Sequence, residues 1–245
     1  MIEVQRDGAV AHVWLARPEQ RNAFDAALVA AIGESFDELG RDPGVRAVVL
    51  GGRGAAFSAG ADLSWMRASL DLSHEQNLAD ARRLEAMLEI VDACPVPVIG
   101  RIQGAAMGGG AGLAACCDVA IAEPGTRFAF SEVRLGLIPA TIAPFVVARI
   151  GRGHARHLFL TGHPFDAAHA LAIGLVHELA DDLDAAVATT VGEVLRAGPE
   201  AVRHAKRLVR ALPAGEMAAA IAERRASAEG QEGLRAFLER RDPRW

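Results

Sequence analysis

Cysteine is scarce in this chain of 245 residues, and its pattern is uninformative as a framework. Cys94, Cys116 and Cys117 have neither the even count of a disulfide scaffold nor metal-ligand spacing. They are expected as small buried residues of a protein kept in a reducing compartment. No run of basic residues occurs, and the net charge is −5, which argues against a nucleic-acid partner. No signal peptide and no apolar run of membrane-spanning length is present, so the expectation is a soluble, cytoplasmic protein with no membrane partner. Gly108–Gly112 holds no G-x-G-x-x-G in frame, and no Gly-Lys-Ser/Thr follows Gly104, which excludes the dinucleotide and P-loop fingerprints. The eight histidines form no i, i+4 pair around a glutamate. His154 and His157 share a helix face without a third ligand, so no metal is expected. Repeats and low-complexity linkers are absent too.

What is present is a hydrophobic half, 51% of residues, enough for a sizeable core. The first part alternates strand and helix patterns. Val4-Gln5-Arg6 and Ala9–Leu15 flank a hairpin turn at Asp7-Gly8. Asp25 caps a helix reaching about Leu39, with Leu28, Ile32, Phe36 and Leu39 on one face. Arg46–Leu50 reads as a buried strand, and residues 73–93 as a long helix with Leu84, Met87, Leu88 and Val91 at helical spacing. Pro95 and Pro97 then open a strand, and Asp118–Ala122 is another. Such alternation predicts right-handed crossovers and a largely parallel sheet. From about Ala140 the pattern is helical: 142–150, 152–160, 166–172, 182–197, 199–212, 216–228 and 231–241, punctuated by Gly151, Gly162, Gly174, Pro199, Pro213 and Gly230.

Two glycine-rich junctions stand out, Phe57–Leu63 and Gln103–Leu113. Each follows an apolar strand-like run and leads into a helical pattern. Small residues there let a ligand approach the backbone, and the first N–H groups of each helix are left unpaired at its positive end. Two such donors converging on one point suit a carbonyl becoming an enolate. Tight packing alone also explains glycine-rich turns, so spacing leaves both readings open.

Ordered landmarks carry a stronger signal. Arg17–Phe24, Phe57–Leu63, Gln103–Leu113, Cys117–Ala122, Phe130–Pro139 and Glu232–Arg241 together make the chain resemble the enoyl-CoA hydratase/isomerase (crotonase) superfamily over essentially its whole length. The resemblance implies an α/β crotonase fold of repeated ββα units. It implies a core over 1–180, with a C-terminal helical trimerisation region over 181–245 and a homotrimer or a dimer of trimers. It implies an acyl-CoA thioester substrate, with coenzyme A part of that substrate and no separate cofactor. It assigns an oxyanion hole to the N–H groups of Ala61 and Gly109, the catalytic carboxylate to Glu132, and substrate binding to Arg21, Ala23, Ala59, Asp62, Leu63 and Gly112.

The resemblance breaks at Gly112, where hydratases of the family carry a second glutamate. One carboxylate suffices to move a double bond from 3-enoyl to 2-enoyl; hydration asks for a base and an acid, which one carboxylate with a held water can supply in turn. The glycine is expected to leave open space that a glutamate would fill. The Pro139–Val147 run and Ala61–Met66 are similar to 3-methylglutaconyl-CoA hydratases of bacteria. The implied activity is therefore hydration of a short or branched enoyl-CoA, with an enoyl-CoA isomerase and a catalytically idle acyl-CoA-binding protein as alternatives. Read without the family, Glu132 would be a surface glutamate paired with Arg127 or Arg134. Asp62 reads as a helix-capping carboxylate and Asp118 as structural. Trp65-Met66 reads as helix packing, and Lys206, Arg207 and Arg210 as a solvent-facing basic helix face. Arg240 and Arg241 are candidates for CoA phosphates.

Overall fold

The computed structural model describes residues 1–210 and 217–245. The N-terminal alternation becomes an antiparallel hairpin, β1 (Ile2–Asp7) and β2 (Val10–Leu15). Its turn is Gly8-Ala9, one residue later than the sequence pattern places it, because Asp7 completes a ladder pair with Val10. Helix α1 (Ala26–Arg41) starts where Asp25 accepts the Leu28 N–H at 2.7 Å, and it buries Leu28, Val29, Ile32, Phe36 and Leu39. Strand β3 (Ala47–Gly52) is buried along its whole length between two parallel neighbours, so it shows no polar alternation. A short α2 (Leu63–Ser69) and a long α3 (His74–Asp92) follow. The latter opens on a reciprocal capping box between Ser73 and Gln76, which satisfies two otherwise orphaned N–H groups.

The repeat is visible next. Strand β4 (Val98–Ile102) joins the main sheet, β5 (Ala105–Met107) leaves it for a second sheet, and α4 (Gly109–Cys116) follows at once. Then β6 (Val119–Ala122), β7 (Arg127–Ala129) and, after a 3₁₀ turn at Glu132–Leu135, α5 (Ala143–Thr161) do the same. The two helices expected over 142–150 and 152–160 are both present within α5 and meet at Gly151, whose φ of 74° and ψ of 159° interrupt the helix between them. After β8 (Phe165–Asp166), α6 (Ala167–Ala172) and β9 (Glu178–Leu179), the sheets are complete. The main sheet runs β1-β2-β3-β4-β6-β9 and is parallel beyond the hairpin; the second runs β5-β7-β8. Strands β5 and β7 are three residues each, too short to show a period of two.

The helices beyond 180 play different roles. Helix α7 (Leu183–Arg196) seals the second face of the main sheet, packing Leu183, Ala186, Val187 and Val191 on Val10, Val49, Ile99 and Ile121. On the basic face of helix α8 (Pro199–Arg210), Arg207 and Arg210 are exposed as expected, but Lys206 is pinned: it pairs with Asp118 at 2.6 Å and donates to the Val96 carbonyl at 3.1 Å. Arg210 pairs with Asp92 at 2.5 Å and with Glu89, whereas Arg207 meets His204. Asp118 also accepts the Val98 N–H at 2.7 Å, which explains an acid at the mouth of a strand. Helices α9 (Met217–Ala226) and α10 (Ala228–Glu239) are held through Glu229, whose carboxylate accepts the Glu200 and Ala201 N–H groups at the start of α8. The helix limits read from sequence at 212 and 216, and Pro213, lie outside the described residues. All three cysteines are free and buried. Among the described residues no helix is long and apolar enough to cross a membrane, and no three His, Cys, Asp or Glu side chains gather as a metal site.

Candidate active site

Three loops meet beside the ends of β3 and β4. The Arg17–Phe24 loop carries Arg21 and Asn22 in the left-handed region (φ 49° and 55°), a conformation asparagine tolerates better than most residues. Asn22 is fully buried and its amide donates to the carbonyls of Arg53 (2.9 Å) and Ala56 (2.8 Å). The loop then grips the Phe57–Asp62 turn. Ala59 N–H donates to the Arg21 carbonyl, Phe24 N–H to Gly60 and Asp62 N–H to Phe24, all between 2.7 and 2.9 Å. That turn grips the third loop in the same way: Ser58 N–H reaches Ala105 O and Met107 N–H reaches Ser58 O, each at 3.0 Å. Gln103 closes the assembly from below, its amide donating to Gly52 O at 2.6 Å and Gly54 O at 3.1 Å.

Two glycines make the meeting possible. Gly60 has φ +85°, and a side chain there would bring its Cβ within 2.6 Å of the Met107 carbonyl. Gly108 has φ +50°, and a Cβ would sit 3.1 Å from Glu132 Oε1. The glycines thus let the turns touch and let the Glu132 carboxylate lie directly against the residue preceding Gly109. Among the described residues, the N–H groups of Ala61 and Gly109 donate to no protein acceptor.

Glu132 opens the 3₁₀ turn after β7 and is half-buried. It pairs with neither Arg127 nor Arg134, and its Oε2 is buried without a hydrogen-bond partner. Burial pushes its pKa above the usual carboxylate value, only partly opposed by its own backbone N–H. Asp62 is the opposite case. It caps α2 by accepting Ser64 N–H (2.8 Å) and the Ser64 hydroxyl (2.5 Å), and those two bonds, with the Arg17 charge at 3.2 Å, hold its pKa low against desolvation.

The remaining residues divide. Arg21 and Ala59 lie on the gripped turns, the first exposed and the second partly so, and Leu63 is exposed at the start of α2. Ala23 is buried and offers its carbonyl to Arg17 at 2.7 Å. Gly112 is buried one turn into α4, and the open space expected above it does not exist. A Cβ there would lie 2.2 Å from Ile142 Cγ2 and 2.7 Å from Ile142 Cβ. Ile142, 1% exposed at the start of α5, occupies that volume. In the sequence Ile142 stands out only as part of the Pro139–Val147 run, because its contact with Gly112 spans 30 positions and carries no local pattern. A cavity of about 310 Å³ lies elsewhere, between α8 and the α3–β4 turn. Two of its cations, Lys206 and Arg210, are already paired with Asp118, Asp92 and Glu89.

Residues 5–245 match the enoyl-CoA hydratase/isomerase family model. The chain belongs to the enoyl-CoA hydratase/isomerase family. A Thermus thermophilus protein bearing an enoyl-CoA hydratase name is 37% identical over 255 residues, covering all of both chains. The cyclohexa-1,5-dienecarbonyl-CoA hydratase of Thauera aromatica is 31% identical over 99% of this chain and 95% of its own. The crystal structure of an enoyl-CoA hydratase from Shewanella pealeana superposes with a TM-score of 0.96 at 39% identity, over all of this chain and 95% of that one. The two sheets and their ββα repeats are thus those of the crotonase fold, and the protein is an enzyme of the enoyl-CoA hydratase type. For this family member, the three gripped loops and Glu132 are where acyl-CoA chemistry has its candidate groups.

Proposed function

We propose that the enzyme adds water to a short or branched 2-enoyl-CoA, with 3-methylglutaconyl-CoA as the candidate substrate, and that Glu132 serves both proton transfers. One observation carries this reading: a half-buried carboxylate with an unpartnered oxygen lies against Gly108, next in the chain to the unpaired N–H of Gly109, and the Ala61 N–H is likewise unpaired. The thioester oxygen accepts from those two N–H groups. The Glu132 carboxylate takes a proton from water as the hydroxide adds to the β-carbon, and electron density moves onto the thioester oxygen as an enolate. The same carboxyl then returns the proton to the α-carbon on the same face. Burial that raises its pKa suits a group that must both accept and give a proton near neutrality. Arg21, Ala59 and Leu63 line the approach in this reading, and Asp62 holds the Ala61 turn. Ala23 supports that turn from below, and Gly112 acts only through the Ile142 that covers it.

A second reading has its own support. Ile142 places an apolar side chain over Gly112, leaving one carboxylate, which suffices for 3-enoyl to 2-enoyl isomerisation. Measuring both reactions on linear and branched thioesters separates the two. Hydration faster than isomerisation on the branched panel supports the first; the reverse order overturns it, and neither reaction leaves acyl-CoA binding alone. We further propose assembly as a trimer or a dimer of trimers. Its support is the apolar surface of α10 (Phe237 81% and Leu238 78% exposed) and of the loop after Glu132 (Ile138 75%). Light scattering after size exclusion tests it; a monomer at micromolar concentration refutes it. Arg241 is engaged by Glu232 at 2.6 Å, so Arg240 is the better candidate for a CoA phosphate.

A further inference from the structure

Arg17 sits where the two gripped turns are anchored, 18% exposed at its side chain. One arm of its guanidinium reaches the Ala23 carbonyl (2.7 Å) and Asp25 Oδ2 (2.9 Å), and the other reaches Asp62 Oδ2 (3.2 Å). Both acids are helix caps: Asp25 receives Leu28 N–H of α1, and Asp62 receives Ser64 N–H of α2. Between them, Phe24 and Ala61 form an isolated parallel bridge, in which Phe24 N–H donates to Gly60 O and Asp62 N–H to Phe24 O. Ala61 therefore lies on a short segment whose carbonyl before it and N–H after it are both fixed to Phe24. A single guanidinium fixes the residues on either side of that bridge. Its planar fork sets two nitrogens side by side, one against Ala23 and Asp25 and the other against Asp62, whereas an ammonium offers its donors from a single point.

We infer that Arg17 is a positioning residue for the Ala61 N–H, setting the direction in which that donor points at the thioester oxygen. The inference rests on the proposed oxyanion role of Ala61. Arg17 itself touches no reacting atom. Its removal leaves the Phe24–Ala61 bonds in place but frees Asp62 to turn with α2. A donor displaced by a fraction of an ångström weakens an interaction that matters most in the transition state, so turnover falls more than binding.

The test compares wild type with Arg17→Met, Arg17→Lys and Asp62→Asn. The reaction is crotonyl-CoA hydration, and the optical probe is 4-(dimethylamino)cinnamoyl-CoA, whose absorption moves to longer wavelength as its thioester carbonyl is polarised. The expected result for Arg17→Met is a kcat about 10- to 100-fold lower, KM within about 3-fold, and a smaller red shift on binding. Arg17→Lys, which keeps one charge and loses the fork, falls between, and Asp62→Asn follows Arg17→Met. Should Arg17→Met not fold, Arg17→Lys carries the same comparison. Unchanged kcat and red shift in the folded variants overturns the inference. So does a loss of melting temperature with the red shift intact, since that marks a purely structural arginine. Absence of any red shift in wild type overturns the oxyanion reading itself, and the inference with it.

Discussion

Adding one methyl group at Gly112 isolates the contact that most separates this molecule from its sequence pattern. In Gly112→Ala the new Cβ meets Ile142 at 2.2 and 2.7 Å, the nearer atom a branch methyl and the other the Cβ itself. Carbon atoms in contact need about 3.5–4.0 Å, so relief requires a displacement of more than 1 Å. A rotamer change moves the methyl but not the Cβ, so the start of α5 has to shift against α4. Overpacking of this kind costs about 1–3 kcal/mol, and the doubly blocked geometry places it at the upper end. Helix propensity works the other way, since alanine in a helix interior is favoured over glycine by about 1 kcal/mol. The net is a destabilisation of about 2 kcal/mol, or about 4–8 °C in melting temperature for a chain of this size. Calorimetry and urea unfolding measure it, and Ile142→Gly completes the cycle. In the double variant the clash is gone, so the two substitutions couple favourably by the clash itself, roughly 3 kcal/mol. A melting temperature for Gly112→Ala equal to or above wild type would show that Ile142 is not seated over Gly112. By the same geometry Gly112→Glu is not tolerated alone, whereas Gly112→Glu with Ile142→Gly has the room for a second carboxylate.

Glu132→Gln is expected to lower turnover by at least about 100-fold with acyl-CoA affinity within a few-fold, as steady-state kinetics and a binding titration would show. The acid limb of kcat/KM should lie above the ordinary glutamate value of 4.5, because the base must be ionised and burial raises its pKa; a limb at or below 4.5 contradicts this. The same shift has a stability signature. The folded protein binds that proton more tightly than the unfolded chain, so stability is lost as pH rises from 4.5 through the folded pKa. Glu132→Gln should therefore melt higher than wild type at pH 8 and lose that advantage toward pH 4. Gly109→Pro deletes one donor and should cost about 10²–10³ in rate, with circular dichroism confirming the fold. Lys206→Met leaves Asp118 with its Val98 bond but no cation, and should cost about 2–3 kcal/mol in urea unfolding, below the usual figure for a buried pair because Asp118 is 30% exposed.

Local chemistry in the chain was enough for most elements. Asp25, Ser73, Asp166 and Asp182 cap α1, α3, α6 and α7, as short polar side chains before apolar periodic runs do. The buried strands announced themselves as uninterrupted apolar runs, and the ordered landmarks identified the family. Legible too were the two glycine-rich junctions, each a local arrangement of a few residues; Glu132 was marked only by the family resemblance, because its neighbours Arg127 and Arg134 read as ordinary surface partners. Tertiary structure decided what no window contains. Strands of three residues exist only because a partner strand supplies their hydrogen bonds. Lys206 on the basic face of α8 met Asp118 rather than water, an attachment between positions 88 residues apart. Glycine at 112 reads as empty space in a sequence, but a residue 30 positions away fills it. Whether a small residue marks a cavity or a close approach depends on what the rest of the chain packs against it, because interiors are filled to crystal-like density. Composition and periodicity therefore set the elements and the chemistry on offer, and packing set which side chains are free to use it.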